Sequence, residues 1–280
     1  MNYRHEFHAG NFADVFKHIF LSRVLLHLGG KPAPFRFIET HAGSGIYELL
    51  RPEAGKTAEW RGGIGKLIKA KPAPEVHDLI RPYLQIEAPL IEGEPVRYGG
   101  SPWIAKAMLR RQDRMLSCEL HPDAFTALKA NFGGDARTKL FPIDGYAGLK
   151  AFLPPVERRG LVLIDPPYEA ADEFVTATEA IEKVWRKWAT GNIMLWYPVK
   201  DAGTIASFAA NLATRGIKRL LRVELQIDTP ARQGPLLRCG LFIINPPYRL
   251  DAEAAILLPW LAALLGGGDP GFLIEWVSGE

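Results

Sequence analysis

The sequence predicts an α/β protein, a Rossmann-like sheet of seven mostly parallel strands with one antiparallel strand and an inserted small helical subdomain. Three observations predict it. Short apolar runs alternate with segments of helical period, the pattern of a parallel sheet covered on both faces. A glycine pair, Gly43-x-Gly45, follows the first run directly. Residues 46–100 interrupt the alternation with clustered prolines and glycines.

The elements follow in order. The opening MNYRHEFHAG lacks the apolar stretch of a secretory signal. NFADVFKHIFLSRVLLHL (11–28) repeats apolar residues at 12, 15, 16, 19, 20 and 24, a helical period, with Asn11 placed as N-cap. Gly29-Gly30 and two nearby prolines end that helix. FRFIET (35–40) is the first strand. Residues 46–100 carry no strong strand signal and read as a subdomain of short helices, leaving 1–45 and 101–280 as the main domain. SPWIAKAMLRR opens the first crossover helix, with Pro102 in the tolerated first turn. RMLSCEL (114–120), TKLFPID (138–144), LVLIDPP (161–167) and NIMLWYPV (192–199) are the second to fifth strands. HPDAFTALKANF and a long stretch through ATEAIEKVWRKWA supply helices among them. DAGTIASFAANLATR leads to RLLRVELQI (219–227) and CGLFIIN (239–245), which have no helix between them and so form a hairpin.

Composition narrows the function. The chain has 280 residues, 48% hydrophobic, enough for one large domain with an insertion. No apolar run reaches the ~18 residues of a membrane span, so neither a membrane partner nor a location outside the cytoplasm is expected. Cys118 and Cys239 are the only cysteines and lie far apart, which gives no disulfide framework and no metal pair. His5, His8, His18 and His41 match no zinc spacing, and no metal is expected. The net charge of +3 and pI of 8.8 are compatible with nucleic acid without requiring it. Basic clusters at 110–114, 157–159, 185–188 and 215–222 each read as a solvated face or an RNA contact. No heptad or outward apolar stripe argues for a dimer, so a monomer is expected.

The chemistry sits at strand ends. Gly43-x-Gly45 alone is a weak nucleotide signal, but Glu119 ends the second strand 74 residues later. Removing the 55 residues of 46–100 leaves a spacing of 19, that of a ribose-binding acid. There is no GxxxxGK[ST] loop, and a glutamate beside the glycines repels phosphate. The cationic, phosphate-free S-adenosylmethionine suits such a site better than a dinucleotide. Asp144-Gly145 ends the third strand, either bonding an adenine amine or simply turning the chain. In Asp165-Pro166-Pro167-Tyr168 the acid and the Pro166 carbonyl are two acceptors pre-set by proline geometry. Together they hold the hydrogens of a planar amine, and the Tyr168 ring stacks on its base. A near-copy, Asn245-Pro-Pro-Tyr248, ends the strand expected to run antiparallel and so exits at the opposite edge. It reads as a strand terminator. By spacing alone Lys17 is solvent-facing and His18 a packed histidine.

The chain resembles class I S-adenosylmethionine-dependent N6-adenine methyltransferases, and more narrowly the bacterial 23S ribosomal RNA family called ribosomal large subunit methyltransferase J. The resemblance spans the whole length. It rests on YRHEFHAGNFADVFKH (3–18), ETHAGSG (39–45), GGSPWIA (99–105), CELHP (118–122), DGY (144–146), LIDPPYE (163–169), LWYPV (195–199) and INPPY…LPWL (244–261). It implies a seven-stranded sheet with the last strand antiparallel, and methyl transfer to N6 of an adenine in 23S ribosomal RNA. It further implies cofactor contacts at His18, His41, Gly43, Ser101, Glu119, Asp144, Gly145 and Asp165, and an N-terminal motif in which Tyr3, His5 and Lys17 meet the RNA or close over the site. Where the general motif has its first glycine this chain has His41. Guanine-N2 methylation of ribosomal RNA and DNA adenine-N6 methylation are the alternative reactions. Glutamine methylation through Asn245 and an RNA-binding module on a decayed fold are the remaining readings.

Overall fold

In a computed structural model, residues 5–50, 58–93, 96–230 and 234–279 are described. Helix α1 (Phe12–Gly29) is buried along nearly its whole surface. That follows from a sequence apolar on every side, since such a helix belongs inside a core. The Asn11 side chain accepts from the backbone amides of Ala13 and Asp14, the expected N-cap.

Strand β1 (Arg36–Glu39) lies at the centre of the sheet. After it come two short strands, β2 (Ile46–Glu48) and β3 (Arg97–Gly99), which pair antiparallel and bring the two ends of the insertion together. Between them lie a 3-10 turn (Glu59–Arg61), helix α2 (Ile64–Leu67) and helix α3 (Pro74–Ile91). The expectation of short helices fails for α3, which runs 18 residues despite Pro82 and Pro89 inside it. Val76, Ile80, Tyr83, Leu90 and Ile91 form one buried stripe, and that burial outweighs the prolines. Ile64, Leu67, Ile80 and Tyr83 belong to the same hydrophobic cluster as α1 and β1. The insertion thus shares the main core.

The remaining elements are α4 (Ser101–Met108), β4 (Arg114–Cys118), α5 (Pro122–Phe132), β5 (Thr138–Phe141), α6 (Gly145–Phe152) and β6 (Gly160–Ile164). They continue with α7 (Glu173–Lys187), β7 (Asn192–Pro198), α8 (Ala202–Thr214), β8 (Leu220–Gln226), β9 (Arg238–Ile244), α9 (Leu250–Leu265) and β10 (Gly271–Ser278). The large sheet has the order β10-β8-β9-β7-β6-β1-β4-β5. β1 pairs parallel with β4 and β6, β4 with β5, and β6 with β7. β9 is antiparallel to both β7 and β8, as the hairpin required.

The count of seven is corrected to eight. β10 adds at the β8 edge and, like β9, runs against the parallel set. The tail 250–278 carries α9 and β10, neither read from the sequence. α9 is apolar almost throughout and contains Pro259, which hides its period.

The basic clusters at 110–114 and 157–159 lie at the amino ends of the parallel strands, away from the glycine turn. Arg110 donates to Asp113 and to the carbonyls of Gly29, Lys31 and Ala33, and Arg159 to those of Leu28 and Ala33. They tie the end of α1 to the sheet. Among the described residues no helix is long and apolar enough to cross a membrane.

Candidate active site

A cleft of about 890 Å3 opens at the carboxyl ends of β1, β4, β6 and β7, where loops of an open parallel sheet can converge on a ligand. His18, His41, Gly43, Ser101, Glu119, Asp144, Gly145, Asp165, Pro166, Tyr168 and Lys17 all line it. Tyr3 lies outside the described residues, as does the side chain of His5.

The first wall is the turn after β1. Gly43 and Gly45 adopt φ of +60° and +74°, which a side chain disfavours. A Cβ on Gly45 would come within 2.3 Å of Phe132, so this glycine serves packing. Gly43 faces the cleft, and its amide donates to Glu119 Oε2 at 2.7 Å. Glu119 Oε1 accepts from the His121 amide at 2.7 Å, so the acid at the end of β4 pins the glycine turn. Beneath the turn Glu39 is fully buried and bonded to the hydroxyls of Ser101 and Ser117. Burial pushes its carboxyl up to about 8, against the opposing effect of the Ser101 hydrogen bond.

Two histidines complete this wall. Burial pushes His41 down to about 4, leaving a neutral ring whose Nδ1 lies 2.7 Å from Thr40 Oγ1. His18 Nδ1 lies 2.6 Å from Tyr98 Oη, which lies 3.0 Å from Tyr83 Oη. His18 on α1 is thereby linked through β3 to α3. Asp144 caps α6, accepting from the Tyr146 and Ala147 amides at 3.4 and 3.0 Å. Of the two sequence readings it therefore fulfils the turn role, while its exposed carboxylate still lines the cleft. Gly145 is not merely flexible: a Cβ there would fall 2.1 Å from the Thr40 carbonyl.

The second wall carries Asp165. Lys17 is 4% exposed, which corrects its reading as solvent-facing. The physical reason is charge pairing. Lys17 Nζ donates to Asp165 Oδ2 at 2.5 Å and sits 3.0 Å from Asp14 Oδ1. Burial alone would lower its pKa, but the two carboxylates outweigh that and hold it well above the usual lysine value. Asp14 in turn accepts from the Gly10 amide at 2.9 Å.

Tyr168 adopts φ of +52°, and its hydroxyl donates to the Trp196 carbonyl at 2.8 Å. Its ring packs 4.7 Å from Phe174 and 6.0 Å from Trp196. A left-handed backbone at a non-glycine residue costs energy and persists here because these contacts hold it. Sequence reasoning missed Asp14, Phe174 and Trp196. The signal for Asp14 was its place one helical turn before Lys17.

Asn245 is brought nowhere near this cleft. β9 delivers it to the amino ends of β7 and β8, beside Ile193 and Leu220. Its Nδ2 donates to the Ala189 and Gly191 carbonyls at 2.8 Å each, and its carbonyl accepts from Asn192. Tyr248 is 84% exposed.

The donor set fits a cationic nucleoside. Glu119, Asp144 and Asp165 present acceptors, His41 is neutral, and of the two lysines lining the cleft Lys17 is already held by two carboxylates. The carboxylates around the glycine turn disfavour a phosphate there. Among the described residues no group of three or more His, Cys, Asp or Glu is placed to hold a metal ion.

The strand order, the acid-pinned glycine turn and the Asp-Pro-Pro-Tyr loop define a class I methyltransferase. A family model described as Ribosomal RNA large subunit methyltransferase D, RlmJ, matches residues 32–278, and the chain belongs to that family. Two curated relatives are named Ribosomal RNA large subunit methyltransferase J. That of Haemophilus influenzae is 39% identical and that of Escherichia coli 36%, each over 282 residues and the whole of both chains. A crystal structure of a Legionella pneumophila protein superposes with a TM-score of 0.86 at 34% identity, covering 96% of this chain and 98% of that one.

Proposed function

We propose that the chain methylates the exocyclic N6 of an adenine in 23S ribosomal RNA, using S-adenosylmethionine. One observation carries the reading: Asp165, clamped by Lys17, opens the Pro-Pro-Tyr loop in the same cleft as the glycine turn pinned by Glu119.

When bound, S-adenosylmethionine would supply an electrophilic methyl carbon, to which the amine nitrogen bonds in line as the sulfur leaves in S-adenosylhomocysteine. Glu119 and the Gly43 turn hold the ribose in this reading, with His18, His41 and Ser101 around the amino-acid portion. The Asp165 carboxylate and the Pro166 carbonyl accept the two N6 hydrogens, which turns the nitrogen lone pair toward the methyl group. Fixing that geometry beforehand is where positional catalysis gains. Lys17 holds Oδ2 of Asp165 and sets the carboxylate's orientation. Tyr168, backed by Phe174 and Trp196, offers the base an aromatic face worth about 1–3 kcal/mol. Asp165 is also the nearest group to receive the proton that N6 releases. The reading takes 46–100 as an inserted subdomain of a chain acting as a monomer in the cytoplasm, where its RNA is found.

The test is transfer of label from S-adenosylmethionine to unmodified 23S ribosomal RNA, followed by digestion to nucleosides, with Asp165→Ala as control. N6-methyladenosine that disappears in the variant is expected. Label in N2-methylguanosine would refute the adenine assignment, and label persisting in Asp165→Ala would refute the residue's role.

A further inference from the structure

The cleft poses an electrostatic problem for an RNA substrate. Glu6, Glu59, Asp123 and Asp201 join Glu119, Asp144 and Asp165 along its walls. A strand carrying one negative charge per nucleotide is repelled there unless cations at the rim offset it. The clusters prominent in the sequence do not supply them. Arg110 and Arg159 are committed to carbonyls at the far end of the sheet. Arg222 and Arg238 are paired with Glu224, and Arg215 with Glu182.

One cationic segment is differently placed. Arg61, Lys66, Lys69 and Lys71 of the insertion are all exposed. Across residues 58–74 the only acid is Glu59, and it is taken by His8 Nδ1 at 3.0 Å and Asn11 Nδ2 at 3.0 Å. Among the described residues none of the four cations is in an ion pair. The segment that carries them borders the cleft. Glu59 and Gly62 line the cleft, and the Ile64 amide donates to the Gly10 carbonyl at 2.9 Å. Lys66 Nζ lies 3.4 Å from the carbonyl of Leu265, itself a cleft residue. The Arg61 guanidinium rests over the Trp60 ring, 5.6 Å from its centroid.

We infer that Arg61, Lys66, Lys69 and Lys71 form the surface on which the phosphates flanking the target nucleotide dock. The inference rests on the RNA substrate proposed above and gives the insertion its role. The ridge supplies affinity without base readout, so it acts on RNA binding and leaves the chemical step alone.

The test compares a Lys66→Ala/Lys69→Ala/Lys71→Ala variant with a control, Arg111→Ala/Arg158→Ala, which removes two exposed cations at the opposite end of the sheet. A 23S ribosomal RNA transcript is the probe for both binding and methylation. In the triple variant KM for RNA rises about tenfold or more, while kcat at saturating RNA and affinity for S-adenosylmethionine hold. The slope of log K against log salt becomes shallower by about two, since each lost phosphate contact removes about 0.7–0.9. The control leaves KM and slope unchanged. A single Lys69→Glu, on an exposed side chain, moves KM the same way and guards against a folding artefact in the triple.

An unchanged KM and slope in the triple variant overturns the inference, as does an equal shift in the control. Loss of sedimentation with phosphatidylglycerol vesicles at unchanged RNA affinity also overturns it, in favour of a membrane surface. Wild-type protein that binds the transcript without methylating it refutes the functional reading, and the salt slope still judges the ridge.

Discussion

Lys17 holds two carboxylates that would otherwise face each other in a nearly dry site. Asp14 is 2% exposed, and the Asp165 side chain 15%. Replacing one member of such a buried set leaves charge uncompensated, at a cost of about 3–5 kcal/mol. Lys17→Met is therefore expected to lower the melting temperature by several degrees and to reduce kcat at least a hundredfold. Thermal melts and kcat at saturating substrate check this, and an unchanged kcat would remove Lys17 from the orientation of Asp165. Within α1 only the place of Asp14, one helical turn before Lys17, hinted at the pairing. A lysine beside an apolar stripe reads as a solvated edge, and its partner Asp165 lies 148 residues away. The Asp-Pro-Pro-Tyr loop was legible because proline restricts backbone geometry locally, whatever the tertiary context.

Among the elements, α3 shows how far an insertion can reach into a site. Its Tyr83 meets Tyr98 of β3, whose hydroxyl meets His18 on the cleft wall. Tyr98→Phe keeps the ring and removes only the hydroxyl, so His18 loses the bond that selects its tautomer and orientation. A hydrogen bond of this kind is worth about 0.5–1.5 kcal/mol. The expected result is a loss of affinity for S-adenosylmethionine of about three- to tenfold, with kcat at saturation little changed and a shift in the His18 ring nitrogen resonances. Unaltered resonances and affinity would make the tyrosines packing residues only. The strands that flank the site were legible from apolar runs bounded by turn residues. The stripe of α3 was not, since Pro82 and Pro89 signal a break and Glu87 falls within it. That glutamate is buried, accepts from the Gly99 amide at 2.8 Å, and is pushed by burial up to about 8.

Across the whole molecule, the two Pro-Pro-Tyr stretches separate stability from chemistry. One ends β6 at the cleft, and the other ends β9 at the opposite edge of the sheet. Asn245→Ala gives up two hydrogen bonds to carbonyls and a residue tolerant of φ near +51°, about 1–3 kcal/mol in all. It is expected to lower the melting temperature while methyl transfer and cofactor affinity persist at permissive temperature. Asp165→Ala loses methyl transfer even at temperatures where it stays folded. Activity lost with full stability in Asn245→Ala would reinstate that loop as a site. The antiparallel course of β9 made this separation legible, because the absence of a helix before it dictated a hairpin. The eighth strand was hidden in a tail whose helix has no polar face.

α1 precedes every strand of the sheet, yet partners that complete its packing lie far along the chain. Arg23 on α1 makes two hydrogen bonds to Glu253 on α9, 230 residues on, and Lys17 waits for Asp165. During translation this apolar helix emerges before those partners, so part of its apolar surface stays uncovered until they are made. The wall of the cleft that α1 forms is therefore set only once Asp165 and α9 have been made.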